Sequence, residues 1–131
     1  MIAVPDTSVV VDGRFKALLC DADFVKDLER IAIAEATVAE IEHLANEGKS
    51  SGISGISELK AIFNISKEIF VPLEYYGKRP TRYEIAGAKK GDIDAIIREA
   101  AMDLDGTLIT GDLIQKDIAE AKGIQSIFLK P

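Results

Sequence analysis

Four carboxylates stand where this chain's pattern would gather them: Asp6, Glu40, Asp94 and Asp112. Asp6 follows the apolar run Ile2-Ala3-Val4-Pro5, and Asp112 follows Leu108-Ile109-Thr110-Gly111. Each ends a predicted strand and precedes a predicted helix, the place where open α/β sheets hold their ligands. Carboxylates held close together repel one another, which raises their pKa values and costs stability. A hard divalent cation relieves that cost and can activate water against a phosphodiester. All-oxygen ligands favour Mg²⁺ or Mn²⁺ over zinc.

With 22 acidic residues in 131, residue type alone selects nothing, so each candidate is weighed by its placement. Asp6 opens Asp6-Thr7-Ser8, whose hydroxyls can support a metal site; the competing role for Asp6 is a helix N-cap. Glu40 closes Thr37-Val38-Ala39-Glu40, which also fits a capping box with Thr37 as the cap. Asp94 is embedded among Ile93, Ala95 and Ile97, where an unpartnered acid is costly. Asp92 lies about 200° away around a helix and reads as a cap. Gly111 allows a sharp turn into Asp112, and Thr110 is a supporting hydroxyl. Asp117 is an auxiliary acid or a solvated surface residue.

These residues need elements to position them. Five short apolar segments read as strands buried on both faces: 2–5, 31–34, 69–75, 107–110 and 126–129. Helical spacing covers 9–19, weakened by Gly13, then 24–30 capped by Asp23, 37–45 capped by Thr37, and 57–68. A helix pair at 81–90 and 92–102 is punctuated by Gly91, and a last helix runs from Asp112 to Lys122. Residues 49–55, rich in Ser and Gly, read as a flexible loop. Asp103 to Thr107 reads as a helix end at Gly106 followed by a strand. Alternating strands and helices predict a parallel α/β sheet covered on both faces.

The length suits one domain over 1–131, or a domain cut from a longer chain. No apolar run approaches a membrane span, and the start lacks the features of a signal peptide. A single cysteine, Cys20, removes any disulfide framework or cysteine zinc site and suits a cytoplasmic setting; Cys20 itself reads as a small buried residue. His43 is the only histidine, which excludes multi-histidine metal sites, and it reads as a solvated helix residue. The net charge of −6 argues against nucleic-acid binding by bulk charge. Lys78-Arg79, Arg82 and Lys89-Lys90 form one basic stretch, either a binding rim or a solvated helix face. Tyr75 and Tyr76 are core residues or base-stacking residues.

The motifs reach a family in combination. Val4-Pro5-Asp6-Thr7-Ser8, Thr37-Val38-Ala39-Glu40-Ile41, Gly91-Asp92-Ile93-Asp94-Ala95-Ile96-Ile97 and Thr107-Leu108-Ile109-Thr110-Gly111-Asp112 resemble, in order and spacing, a PIN domain over essentially the whole chain. Glu74-Tyr75-Tyr76-Gly77-Lys78-Arg79-Pro80-Thr81 resembles the PIN domain at the front of archaeal PIN–KH ATPases. The resemblance implies a three-layer α/β/α fold with strand order 3-2-1-4-5. It implies a metal-dependent endoribonuclease acting on single-stranded RNA through metal-activated water. Asp6, Glu40, Asp94 and Asp112 would be the catalytic and metal-binding acids for Mg²⁺ or Mn²⁺, with Thr7, Ser8, Thr110 and Asp117 in support. Implied partners are RNA, further domains of a longer ATPase chain, and a second copy of the chain through the apolar helix of residues 56–69. The alternative within the family is a non-catalytic module that binds RNA or a protein.

Two other classes are weaker. Asp103-Leu104-Asp105-Gly106-Thr107 matches the opening of haloacid-dehalogenase-type phosphatases, but Arg98 to Met102 before it continues a helix where that motif needs a strand. A receiver-type signalling domain would need an acidic pair after the first strand, where Asp6 stands nearly alone.

Overall fold

Strand alternation divides the apolar residues into two sets, and each set becomes a separate core. The computed structural model describes residues 1–89 and 91–131. Expectations that include Lys90, the end of the helix from Thr81 and one of the three lysines of the basic stretch, fall outside the described residues. In order the elements are β1 (Ile2–Pro5), α1 (Thr7–Val11), α2 (Arg14–Leu18), α3 (Ala22–Val25), β2 (Arg30–Ala34), α4 (Glu35–Asn46), α5 (Ser50–Glu68), β3 (Leu73–Tyr76), α6 (Arg82–Gly87), α7 (Asp92–Asp103), β4 (Thr107–Thr110), α8 (Leu113–Ala121) and β5 (Gln125–Phe128). The five strands form one parallel sheet in the order β3-β2-β1-β4-β5, as expected.

Ala3, Ile31, Ile33 and Ile109 point to one face, where they meet Val9, Phe15, Leu19, Phe24, Ile41 and Ile62. Val4, Ala32, Ala34 and Leu108 point to the other, against Ile85, Ile93, Ile97, Ala101 and Ala119. Helices therefore cover both faces, and the period of two is that of a sheet buried on both sides. β1 lies between β2 and β4, with Ala3 level with Ile31 on one side and Thr107 on the other. The strand ends carrying Asp6 and Asp112 are thus neighbours, at the point where the strand order reverses.

Several local expectations are corrected. The segment 49–55, read as a loop, is the first part of the long helix α5. A Cβ on Gly52 would lie 2.1 Å from the backbone nitrogen of Ala45, and one on Gly55 would lie 2.8 Å from Ile41 Cγ2. These glycines are there so that α5 can lie directly on α4. The third strand begins at Leu73, because Ile69 is still the C-cap of α5 and Phe70 turns the chain at φ 57°. The helix predicted over 9–19 is two short ones, divided at Gly13 with φ 83°. Asp21, not Asp23, caps the next helix, α3, and accepts hydrogen bonds from the N–H groups of Asp23 and Phe24. The helix at 92–103 is ended by Asp105, which takes the left-handed conformation at φ 50°, and not by Gly106. Gly106 instead sits tight against β1, where a Cβ would come 3.0 Å from the Ile2 carbonyl oxygen. Cys20 is exposed, not buried.

Candidate metal centre at the strand ends

Asp6 leaves β1 in an extended conformation and starts α1. Its side chain is 2% exposed. One oxygen accepts from Ser8 Oγ at 2.6 Å and Val9 N–H at 3.3 Å, and the other accepts from the Thr110 hydroxyl. Asp6 is therefore a helix cap buried behind Thr7 and Ser8. Burial pushes the Asp6 pKa up, the bonds from Ser8, Thr110 and Val9 pull it back, and the Asp112 charge raises it again. Thr110 is fully buried on β4 and also accepts from the Asp112 N–H at 3.0 Å. Gly111 N–H donates to Ser8 Oγ at 3.3 Å. The loops after β1 and β4 are thus tied together by hydroxyl groups.

Asp112 is the N-cap of α8 and accepts from the N–H groups of Ile114 at 2.9 Å and Gln115 at 3.4 Å. Glu40 is half-buried on α4, six residues into a helix that starts at Glu35 after the N-cap Ala34. Thr37 lies inside that helix, and its buried hydroxyl has no hydrogen-bond partner. The expected Thr37–Glu40 capping box does not form, and the helix does not begin at Thr37. Asp94 is half-buried in the first turn of α7, which follows Gly91 at φ 101°. Its pKa is raised to about 6 by burial first, then by the charges of Asp6, Glu40 and Asp112, with Arg98 opposing. The four acids that sequence placement selected act on one another electrostatically from four different parts of the chain.

Glu40 and Asp94 line a cavity of about 410 Å³ together with Thr7, Ser8, His43 and Lys89. Asp92 stays outside it: exposed, its carboxylate accepts from the Lys89 N–H at 2.8 Å, and Gly91 rather than Asp92 holds the cap position. Asp117 is exposed on α8, where its charge acts on Lys116. Arg98, Gln115 and His43 were not singled out by sequence for this site. Gln115 is 1% exposed; it accepts from Arg98 Nη1 and donates from Nε2 to the Asp94 carbonyl at 3.2 Å. Arg98 follows Asp94 by four residues and His43 follows Glu40 by three, so both spacings place them on the acids' own helix faces. Nothing in the sequence marks Gln115.

Does this arrangement suit a divalent cation? Its donors are carboxylate and hydroxyl oxygens, the set hard cations take. Thr7 contributes a buried hydroxyl oxygen without a hydrogen-bond partner beside Glu40 and Asp94. Burial first, and then repulsion from Asp6, Glu40 and Asp112, hold the Asp94 pKa near 6, and a cation would relieve both. As they stand, no three His, Cys, Asp or Glu side chains among the described residues converge to hold an ion. Asp6 and Asp112 are engaged by the caps of α1 and α8. Glu40 and Asp94 on the cavity wall fit a cation in donor chemistry and in charge, while hydrogen bonds hold the Asp6 and Asp112 carboxylates behind it.

A five-stranded parallel sheet in this order, helices on both faces and acids at the central strand ends define a PIN-type nuclease fold. The sequence profile of the PIN domain family matches residues 3–121, and the chain belongs to that family. It is 45% identical over 125 residues to an uncharacterised KH and PIN-domain containing protein of Methanocaldococcus jannaschii; the match covers 95% of this chain and 19% of that protein. The chain thus spans about a fifth of that relative's length. A solved domain of a functionally unknown protein, also from Methanocaldococcus jannaschii, superposes with a TM-score of 0.93 at 43% identity, covering 99% of this chain and 91% of that one. VapBC2 from Rickettsia felis, solved bound to a DNA fragment, superposes with a TM-score of 0.61 at 19% identity, covering 98% of both chains, which is a likeness of fold. PIN domains are generally nuclease modules that use divalent metal ions. Among the described residues, no helix is long and apolar enough to cross a membrane.

Proposed function

We propose that this domain is a metal-dependent endoribonuclease that hydrolyses phosphodiester bonds of single-stranded RNA, with Asp6, Glu40, Asp94 and Asp112 as its catalytic and metal-binding carboxylates. One observation carries the reading: Asp94 and Glu40, from two different helices, line one cavity, with Asp6 and Asp112 near enough for their charges to raise the Asp94 pKa after burial has done so. Perturbed carboxylates facing a cavity are the signature of a working site, and family membership supplies the reaction class.

Glu40 and Asp94 would hold the ion from the cavity wall, and Asp6 and Asp112 would hold it from the strand ends. Mg²⁺ or Mn²⁺ matches the all-oxygen set. When bound, such an ion stabilises charge on the phosphate and acidifies water. The protein's own contribution is positioning. Ser8 and Thr110 fix the Asp6 carboxylate, Gln115 holds the Asp94 backbone, and Lys89 brings a cation to the pocket wall. No side chain serves as nucleophile in this reading, and Asp117 is left out of the pocket.

The domain would work within a longer chain, as its KH-containing relative suggests, and its single cysteine suits the cytoplasm. A homodimer through α5 draws support from Ile53 and Phe63, which are 60% and 43% exposed. The alternative, a non-catalytic binding module, draws on the engagement of Asp6 and Asp112 by helix caps.

The test is cleavage of a labelled single-stranded RNA with Mn²⁺, with EDTA in its place, and with Asp94→Asn. Cleavage by the wild type that both controls abolish is the expected result. Absence of cleavage together with absence of any Mn²⁺ effect on melting temperature would leave the binding module.

A further inference from the structure

Beside the acidic cavity lies a second cleft of about 700 Å³, lined by Glu42, His43, Asn46, Arg79, Thr81 and Arg82 among others. His43 and Ile85 line both cavities, so the two adjoin. Their chemistry is opposite in sign. The first holds Glu40 and Asp94; in the second, Glu42 is the one acid on the wall among the described residues and is paired with Arg79 at 2.7 Å. Arg82 is exposed and has no hydrogen-bond or ion-pair partner among the described residues. Lys89 lines the first cavity and carries the cationic character up to Glu40 and Asp94.

A polyanion faces an obstacle on this protein: the chain carries a net charge of −6 and presents acids at the pocket itself. Affinity for a nucleic-acid strand must then come from local cations that meet its phosphates. Polar side chains of Asn46, Thr81 and the arginines suit a sugar-phosphate backbone better than an apolar ligand.

We infer that the Arg79–Arg82 cleft binds the backbone of the RNA strand next to the bond being cut. This inference rests on the nuclease reading above for its ligand. The strand would pass from Arg79 and Arg82, past His43, to Lys89 and the carboxylates. Arg79 would exchange its contact with Glu42 for a phosphate.

Two measurements on the 131-residue chain separate this proposal from the reading beneath it. In the first, binding of a fluorescent single-stranded RNA of about a dozen nucleotides is followed by anisotropy in EDTA, where no cleavage is needed. The double variant Arg79→Ala, Arg82→Ala should bind about tenfold more weakly, and the slope of log affinity against log salt should fall by about 1.4, or ~0.7 for each lost phosphate contact. Glu42→Gln should tighten binding by releasing Arg79. In the second, Mn²⁺-dependent hydrolysis of the RNA is compared with that of bis-p-nitrophenyl phosphate, a diester with no flanking strand. The double variant should raise KM for RNA and leave the small diester unchanged. An unaltered salt slope, an equal loss on both substrates, or equal displacement of RNA by poly-glutamate would overturn the proposal, the last making the cleft a site for acidic peptide. Failure of the wild type to hydrolyse either diester would overturn the nuclease reading alone, with the binding arm still deciding the cleft.

Discussion

Asp94 shows how one residue can oppose folding and serve a site. Its carboxyl ionises near pH 6 in the folded chain and near its ordinary value of 3.8 in the unfolded chain. The unfolded chain therefore loses this proton first, and the contribution of Asp94 turns unfavourable as pH rises from about 4 to about 6. At neutral pH without metal the penalty is on the order of 1–3 kcal/mol. Asp94→Asn should stabilise the metal-free protein by that amount at pH 7 and by nothing below about pH 4, as urea denaturation in EDTA would show. A loss of stability at pH 7 would assign Asp94 a structural role. Thr110 is the opposite case. Its hydroxyl donates to buried Asp6 and accepts from the Asp112 N–H, so Thr110→Val should cost about 1–3 kcal/mol and push the Asp6 pKa higher still. An unchanged denaturation midpoint would show that water replaces the hydroxyl. At this scale the sequence was informative where chain position carried the signal. Asp6 and Asp112 were legible from the strands they end, and Asp94 from the apolar residues around it. Gln115 was not, because its role depends on how α8 lies against α7, which no local pattern encodes.

Among the elements, α5 departs most from sequence expectation, since its first turns read as loop. Ser and Gly disfavour an isolated helix. Here the absence of a Cβ at Gly52 and Gly55 permits contact with α4 that a better helix former would block. Tertiary packing overrides propensity, and the sequence could not show it without the partner helix. Gly52→Ala places a Cβ 2.1 Å from the backbone of Ala45, which cannot move aside as a side chain could. A loss of more than about 3 kcal/mol is expected in chemical denaturation, above the usual range for an added methyl. At the other end of α5, Phe70 adopts φ 57° while 91% exposed, so it bears left-handed strain without gaining burial. Phe70→Gly should raise stability by about 1 kcal/mol, measured the same way. A drop would mean that the ring has a contact worth more than the strain. The strands themselves were legible almost to the residue at 2–5 and 107–110, because buried parallel strands are continuous apolar runs. Strand order was not readable from any segment; it came with the family resemblance.

For the whole molecule, the excess of acid and the acidic pocket act together. Mn²⁺ should raise the melting temperature of the wild type, by the equivalent of about 2.7 kcal/mol at a hundredfold excess over its Kd, and should raise that of Asp94→Asn much less. Equal shifts in both proteins would locate the ion elsewhere.

The hydroxyl of Thr110 reaches Asp6 across 104 residues of chain, and the strand that bears Asp6 lies in the middle of the sheet. That long loop has a consequence for synthesis on the ribosome. β2 and β3 can join β1 early, but the other edge of β1 has no neighbour until β4 emerges, roughly 100 residues later. At ~5–20 residues per second, the interval is about 5–20 s. Throughout it the nascent chain exposes an open strand edge and carries only part of its acid cluster, so its pocket closes as the last of its elements leave the ribosome.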